Sequence, residues 1–143
     1  MTQAQQDSTG DAERVRAFGD ELVAVHDWFR AELAGLRTGE PLSGELRAHC
    51  VTFCERLSFH HSGEDRAVFP HLEERLPELK EALDRLRAEH VVVAGLVERL
   101  AAAGTRDELD RLSAELEAHF DYEEKQLVPV LNSLDAVPWE VRR

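Results

Sequence analysis

The sequence predicts an all-α fold, an antiparallel four-helix bundle with up-down-up-down topology. Glycine and proline, which break helices, number only 8 and 5 among 143 residues, whereas the good helix formers Leu, Ala, Glu and Arg are common. Apolar residues recur in four segments at alternating steps of three and four, the period of a helix that buries one face. Short connections join the segments, and such connections make consecutive helices antiparallel.

Each predicted helix is defined by one stripe of inward-facing positions. Members of a stripe lie three or four residues apart, so they share one side of the helix. The first stripe comprises Val15, Gly19, Leu22, His26, Phe29, Leu33 and Leu36, and the second comprises Leu46, Cys50, Phe53, Leu57, His60, Glu64 and Ala67. The third comprises Leu79, Leu83, Leu86, His90, Val93, Val97 and Leu100, and the fourth comprises Leu109, Leu112, Leu116, His119, Glu123, Gln126 and Val130.

Turn and capping residues separate the stripes. Pro77 suits the first turn of the third helix, and Gly104 is expected to end that helix. The stretch Thr105–Glu108 has the pattern of a capping box and is expected to start the fourth helix. Pro70 and Pro129 are expected to kink or end the second and fourth helices.

The length and charge of the chain indicate its domain organisation and limit its possible partners. We expect residues 11–133 to form a single bundle domain, residues 1–10 to be a flexible N terminus and residues 134–143 to be a C-terminal tail. The formal net charge of −12 repels phosphate backbones and anionic membrane surfaces. Nucleic acid and membranes are therefore not expected as partners.

The N terminus and the cysteines give indications of the cellular location of the protein. The N terminus has no apolar signal-peptide core, and the longest apolar run, at residues 91–97, is too short to span a bilayer. Cys50 and Cys54, four residues apart on one predicted helix, align poorly for a disulfide. Two such cysteines in a chain without a signal peptide indicate a cytoplasmic protein.

Two similar stretches, HHSGEDRAVFP at residues 60–70 and HFDYEEKQLVP at residues 119–129, repeat one pattern. Each begins with a histidine, has a glutamate four residues later, follows it with a second acid and ends with a proline. Residues four apart on a helix lie on the same face. Aligning His26 with His90 extends the repeat, which predicts two helical hairpins related by a pseudo-twofold axis.

Six polar residues occupy stripe positions where a bundle normally has apolar side chains: His26, His60, Glu64, His90, His119 and Glu123. A buried unpaired polar group costs a few kcal/mol and an ionised carboxylate costs more, so six would offset the net stability of a domain, about 5–15 kcal/mol. One such histidine is more often an ordinary hydrogen-bonded core residue, and a His–Glu pair can satisfy itself. Six at matched levels favour two metal ions with two bridging carboxylates. Imidazole and carboxylate together suit iron, with manganese as the alternative, better than zinc.

The pattern H…HxxxE…H…HxxxE resembles the hemerythrin-like family, also called HHE cation-binding domains. The resemblance covers about residues 11–133 and includes the acid pair and the proline of both stretches. It implies a four-helix bundle with a non-haem di-iron centre, in which both glutamates and an oxo or hydroxo group bridge the ions. The implied ligands are His26 and His60 for one iron, His90 and His119 for the other, and Glu64 and Glu123 as the bridges.

One departure from the family bears on function. Oxygen-carrying hemerythrins have two histidines one turn apart on the third helix, whereas Leu86 and Ala94 stand four residues before and after His90. Without this fifth histidine, the resemblance implies an open position at each iron, which suits a bridging peroxide better than end-on oxygen. We therefore predict a catalase-like protein that binds and decomposes hydrogen peroxide. The alternatives are a module that binds or senses O2, NO or iron, and a di-iron oxidase of a small organic substrate.

Four residues next to the candidate ligands receive separate interpretations, and no catalytic residue is predicted beyond the metal centre itself. His61 lies about 100° around the helix from the preceding histidine, and we interpret it as a surface residue. Tyr122 is a candidate proton donor beside the centre. Asp65 and Glu124 are expected to point away from the metal, either as hydrogen-bond partners of ligands or as solvated charges.

Overall fold

The structure, a computed structural model, describes residues 18–38 and 44–134, with side chains described at 18–36, 51–102 and 104–134. A π-helical segment joins the second and third α-helices, and a 3-10 turn precedes the fourth. The predicted all-α fold is confirmed. The elements in chain order are α1 (Phe18–Thr38), α2 (Gly44–Gly63), the π segment (Glu64–Val68), α3 (Phe69–Arg75), the 3-10 turn (Pro77–Leu79), α4 (Lys80–Ala103) and α5 (Arg106–Asn132).

The helices form a bundle in which each long helix contacts two neighbours. The contacting pairs are α1 with α2, α1 with α5, α4 with α5, and α2 with α4. Two ring contacts join α1 and α2: His26 lies 5.5 Å from His60 and Phe29 lies 5.6 Å from Phe53, measured between ring centroids. Residue numbers therefore increase along α1 in the direction in which they decrease along α2. These two helices are therefore antiparallel, as an up-down-up-down bundle requires.

Two apolar clusters fill the bundle, one on each side of a polar layer. On α4, His90 lies between Leu86 of one cluster and Val93 of the other, and on α5 the two inward ligand candidates lie between Leu116 and Leu127. The upper apolar cluster comprises Phe29, Leu33, Leu36, Phe53, Leu57, Val93, Leu96, Leu100, Leu109, Leu112, Leu116 and Phe120. The lower apolar cluster comprises Phe69, Leu72, Leu83, Leu86, Leu127 and Leu131.

The second predicted stripe is wrong beyond Glu64. Ala67 is exposed, and Phe69 and Leu72 are buried instead. The π segment causes this shift, because its wider turn adds a residue and moves the inward face along the sequence. Its last bond runs from the Phe69 N–H to the Glu64 carbonyl. Pro70, which has no N–H to donate to the fourth carbonyl back, directly follows and favours this departure from α-helical bonding.

The fourth predicted stripe is wrong at its end. Gln126 and Val130 are half-buried, whereas Leu127 and Leu131 are buried in the lower apolar cluster. Steps of three and of four are both compatible with a helix, and burial of the larger apolar side chain decides between them. Pro129 lies inside α5, which continues to Asn132 before it ends.

The predicted helix ends between α4 and α5 are present. Gly104 adopts a left-handed conformation with φ of 63°, and its N–H bonds to the Leu100 carbonyl. Thr105 Oγ1 accepts a hydrogen bond from the Glu108 N–H at 3.2 Å, which is the N-cap half of the predicted capping box. Pro77 begins the 3-10 turn that leads into α4.

Some expectations fall outside the described residues. They concern residues 1–10, the tail beyond residue 134, and the side chains of Val15, Leu46 and Cys50. Cys54 is half-buried and packs against the upper apolar cluster. No helix within the described ranges is both long enough and apolar enough to cross a bilayer.

We predict that Gly19→Ala destabilises the bundle, because α1 passes close to α5 at this glycine. The Gly19 N–H donates to Asn132 Oδ1 at 2.6 Å, and a Cβ at position 19 would lie 2.5 Å from the Val128 carbonyl oxygen. Such overpacking typically lowers the free energy of unfolding by about 1–3 kcal/mol, which urea denaturation measures.

Gly95→Ala is the matched control. A Cβ at Gly95 meets no atom within 4 Å, so the substitution should leave the free energy of unfolding unchanged or raise it by about 0.5–1 kcal/mol. Equal stability of the two variants would contradict the close approach of α1 and α5.

Candidate metal centre

The four long helices bring the six predicted site residues together in one polar layer. Five of them are buried and His60 is half-buried. The stripe positions account for this convergence, because each stripe faces the bundle axis and the antiparallel packing places the six at the same level. The residues are His26 on α1, His60 on α2, Glu64 at the start of the π segment, His90 on α4, and His119 and Glu123 on α5.

The polar layer divides into two groups that can each hold a metal ion. Within each group, one ligand atom from every residue lies within 4.8 Å of the others. Glu64 belongs to both. Cluster A comprises His26, His60, Glu64 and Glu123, and cluster B comprises His61, Glu64, His90 and His119.

Glu64 faces histidines of both clusters. Its Oε2 lies 3.3 Å from His60 Nε2 in cluster A, and its Oε1 lies 3.2 Å from His90 Nε2 in cluster B. A carboxylate placed in this way can offer one oxygen to each of two ions.

Glu123 on α5 also faces histidines of both clusters, but through a single oxygen. Its Oε1 lies 3.4 Å from His26 Nε2 in cluster A and 3.5 Å from His119 Nε2 in cluster B. Both glutamates therefore stand between the two sets of histidines.

The interpretation of His61 as a surface residue is wrong. Its exposed fraction is only 6%, and its ring stacks on His90 at 3.9 Å between centroids and lies 5.0 Å from His119. His60 and His61 both point inward because α2 has two neighbours. The 100° between successive residues turns His60 towards α1 and His61 towards α4.

His61 adds a fifth histidine to the polar layer, although from α2 and not from a position one turn from His90, where Leu86 and Ala94 stand. The repeat contained a signal for it, because Phe120 occupies the equivalent position after His119. Phe120 stacks on His26 at 4.1 Å, as His61 stacks on His90. In each of the two repeated stretches, the residue after the first histidine therefore packs against a histidine of the other hairpin, and only in the first stretch is that residue a possible ligand.

The inward atoms of the polar layer lack hydrogen-bond partners among the described residues. A buried polar atom without a partner is costly, and so many in one space call for a group that they can share. Neutral imidazole nitrogens and carboxylate oxygens are ligands for first-row transition metals, so the donor set fits metal ions. The atoms are Nε2 of His26, His60, His61, His90 and His119, Oε1 of Glu64, and Oε1 and Oε2 of Glu123.

A family model described as the hemerythrin HHE cation binding domain matches residues 18–131. The chain belongs to this family. The match runs from the first residue of α1 almost to the end of α5 and includes every residue of both clusters. Neither the curated proteins nor the solved structures contain a match. Together with clusters A and B, the family makes this hemerythrin-like domain a metal-binding module.

Burial keeps three histidines of the hemerythrin-like domain in their metal-binding form. It lowers the pKa of His60 to about 4 and also lowers the pKa values of His61 and His90. These imidazoles are therefore neutral at pH 7, as ligation requires. Burial and the adjacent Glu123 raise the pKa of Glu64, since two carboxylates close together in the core resist carrying two charges.

Outer carboxylates orient three of the histidines. Each one accepts a hydrogen bond from Nδ1–H, which leaves the Nε2 lone pair facing inward and increases its basicity. This resolves the open interpretation of Asp65 and Glu124 in favour of hydrogen bonding. The Nδ1-to-oxygen distances are 2.8 Å for His26 and Glu124, 2.9 Å for His90 and Asp65, and 2.7 Å for His119 and Glu89.

Glu89 was missed by the sequence analysis. Its signal is its position next to an inward ligand, because Glu89 precedes His90 just as Asp65 and Glu124 follow inward glutamates. A residue adjacent to an inward position is turned by about 100° and faces the neighbouring helix. There it can reach the outer nitrogen of a histidine.

Arginines hold two of the outer carboxylates in place. Arg30 Nη1 lies 2.9 Å from Glu124, and Arg85 Nε donates to Glu89 at 3.0 Å. Arg85 also lies over the ring of Tyr122, 3.8 Å from its centroid. Tyr122 belongs to neither cluster and packs against the lower apolar cluster.

We predict that Glu89→Ala weakens metal binding, because His119 loses the group that fixes its tautomer. Loss of such an outer partner typically lowers metal affinity by about 10- to 100-fold, and chelator competition measures it. The matched control is Glu98→Ala, an exposed glutamate on the same helix. Equal affinities for the two variants would contradict an orienting role for Glu89.

We predict that the metal-free protein loses stability as the pH falls from about 6.5 to 4. His60 has its pKa lowered to about 4 in the folded state, so in this window the unfolded chain binds a proton that the folded chain does not. His61 and His90 act in the same direction, and the raised pKa of Glu64 offsets part of the effect. His60 alone accounts for up to about 3 kcal/mol over this range.

Urea unfolding of the metal-free protein at pH 7, 6 and 5 measures this dependence. His60→Gln should reduce the slope of the unfolding free energy against pH. Equal urea midpoints at pH 7 and 5 would contradict neutral, buried histidines.

Proposed function

We propose that this hemerythrin-like domain holds two iron ions and binds a small diatomic ligand such as O2 reversibly. The observation that carries the proposal is the unequal number of histidines, two in cluster A and three in cluster B. If both glutamates bridge the ions, cluster A offers four protein ligands and cluster B five, so the ion in cluster A would be the one able to take an added ligand. Iron would supply the reversible electron transfer, and manganese is the alternative metal.

The surroundings of cluster A support a small apolar ligand. A cavity of about 150 Å³ reaches Glu64 and Glu123 from the side of α1 and α5. Its other walls are nearly all apolar, and a cavity of this kind admits a gas more readily than an ion. The other lining residues are Phe18, Glu21, Leu22, Val25, Val68, Leu127 and Leu131.

The residues of the chain have distinct parts in this proposal. The five histidines and two glutamates would hold the ions, and the outer carboxylates would keep the imidazoles in one tautomer. The upper and lower apolar clusters keep water from both ends of the polar layer, which protects a reduced metal from uncontrolled oxidation.

Peroxide decomposition, the activity predicted from the sequence, is the alternative. That prediction depended on equal ligand sets, and His61 makes the sets unequal. One observation still favours peroxide, namely a second cavity, lined in part by polar residues, that borders His61 and His90 in cluster B. An organic-substrate oxidase has no comparable supporting feature among the described residues.

We predict that the protein purifies with about two irons per chain and that its reduced form changes its absorption spectrum when O2 is added and recovers when O2 is removed. Elemental analysis and anaerobic spectroscopy measure this. Zinc-loaded protein is the control, because zinc has no redox chemistry. Iron-loaded protein that evolves oxygen from hydrogen peroxide faster than free iron would favour the alternative, and a protein without iron would overturn both.

His61→Phe tests the origin of the asymmetry. The substitution gives α2 the residue that α5 has at the equivalent position, Phe120, and so conserves the ring packing while it equalises the two histidine sets. We expect this variant to lose reversible O2 binding and to gain peroxide decomposition. Unchanged O2 binding in the variant would show that His61 does not set the difference between the clusters.

A further inference from the structure

A second cavity of about 390 Å³ lies between α2 and α4, beside cluster B. It differs from the cavity beside cluster A in the chemistry of its walls. Two imidazoles and two hydroxyl groups line it, and an acid and an arginine lie at its edge. These polar residues are Ser58, His61, Ser62, Asp65, Arg66 and His90.

His61 is held less firmly than the other histidines of cluster B. His90 and His119 each have an outer carboxylate, Asp65 and Glu89, at 2.9 and 2.7 Å. Among the described residues His61 has ring contacts, but no carboxylate accepts a hydrogen bond from it. A histidine without such a partner is a weaker and less well oriented ligand.

We propose that this cavity is a second ligand site, at which a small hydrophilic ligand replaces His61 in cluster B. The inference rests on the proposed function, since it requires the ion that cluster B would hold. The ring of His61 would turn into the cavity, where the hydroxyl groups of Ser58 and Ser62 can receive it. One neutral imidazole leaves as one ligand enters, and no electron is transferred.

The charged residues lining the cavity are one cation, Arg66, and one carboxylate, Asp65. Arg66 is exposed and lines the opening, and its guanidinium attracts anions in a protein that is otherwise strongly acidic. Asp65 remains bonded to His90, with 38% of its side chain exposed. The domain would then have two ligand sites: the one at cluster A would favour small uncharged ligands but also admit azide, and the one at cluster B would favour small anions.

Azide titration of the iron-loaded protein, followed by its absorption spectrum, tests the proposal. We expect two binding phases. Ala94→Leu, which fills the cavity from α4, should raise the azide dissociation constant of one phase on the order of tenfold. Ala88→Leu, at an exposed position of the same helix outside the cavity, should change neither phase. Val25→Phe, which narrows the apolar cavity, should weaken the other phase.

His61→Ala separates displacement of the ligand from simple access. If His61 must leave for azide to enter, its removal should lower the azide dissociation constant of the phase that Ala94→Leu affects, on the order of tenfold. The iron content should stay the same. Loss of iron from this variant would show that His61 is indispensable and would overturn the proposal. A single azide phase that Ala94→Leu leaves unchanged would also overturn it.

The two proposals fail in different ways. Two azide phases without reversible O2 binding would overturn the diatomic function and leave the anion site supported. Reversible O2 binding together with a single azide phase that Ala94→Leu leaves unchanged would overturn the anion site and leave the diatomic function supported. In Ala94→Leu the response to O2 should be unchanged, because cluster A lies on the other side of the polar layer.

Discussion

The structure depends on a layer of polar atoms that is enclosed between two apolar clusters and cannot satisfy itself. Five imidazole Nε2 atoms and three glutamate oxygens face one another without partners among the described residues. Packing above and below leaves little water for them to bond. Cations are the groups that all of these atoms can share, so the stability of the bundle and the occupancy of the centre are coupled.

A pseudo-twofold relation between the hairpins organises the site. The acid after each inward glutamate reaches across to the other hairpin: Asp65 bonds to His90, and Glu124 bonds to His26. Each hairpin therefore orients a ligand on the other hairpin. This exchange explains why the acid pair recurs in both stretches, since one acid faces the ions and the next faces the neighbouring helix.

The sequence predicted the four helices and the convergence of six polar residues because both depend on one spacing, the steps of three and four along a stripe. The prediction for His61 was wrong because a stripe assigns a single inward direction to each helix. In the structure α2 contacts both α1 and α4, so two successive side chains can face inward. The prediction for Ala67 was wrong because the π segment changes the number of residues per turn. Both errors arise from the orientation of a helix relative to its neighbours. The periodicity of a single helix does not predict that orientation.

The departures from the repeat give each cluster its character. Where α5 has Phe120, α2 has His61, and where α4 has Glu89 before its histidine, α1 has Val25. The first difference adds a histidine to cluster B, and the second gives His119 an outer carboxylate. Val25 instead lines the apolar cavity beside cluster A. These two differences between the hairpins thus make one side of the layer richer in histidine and place an apolar cavity on the other.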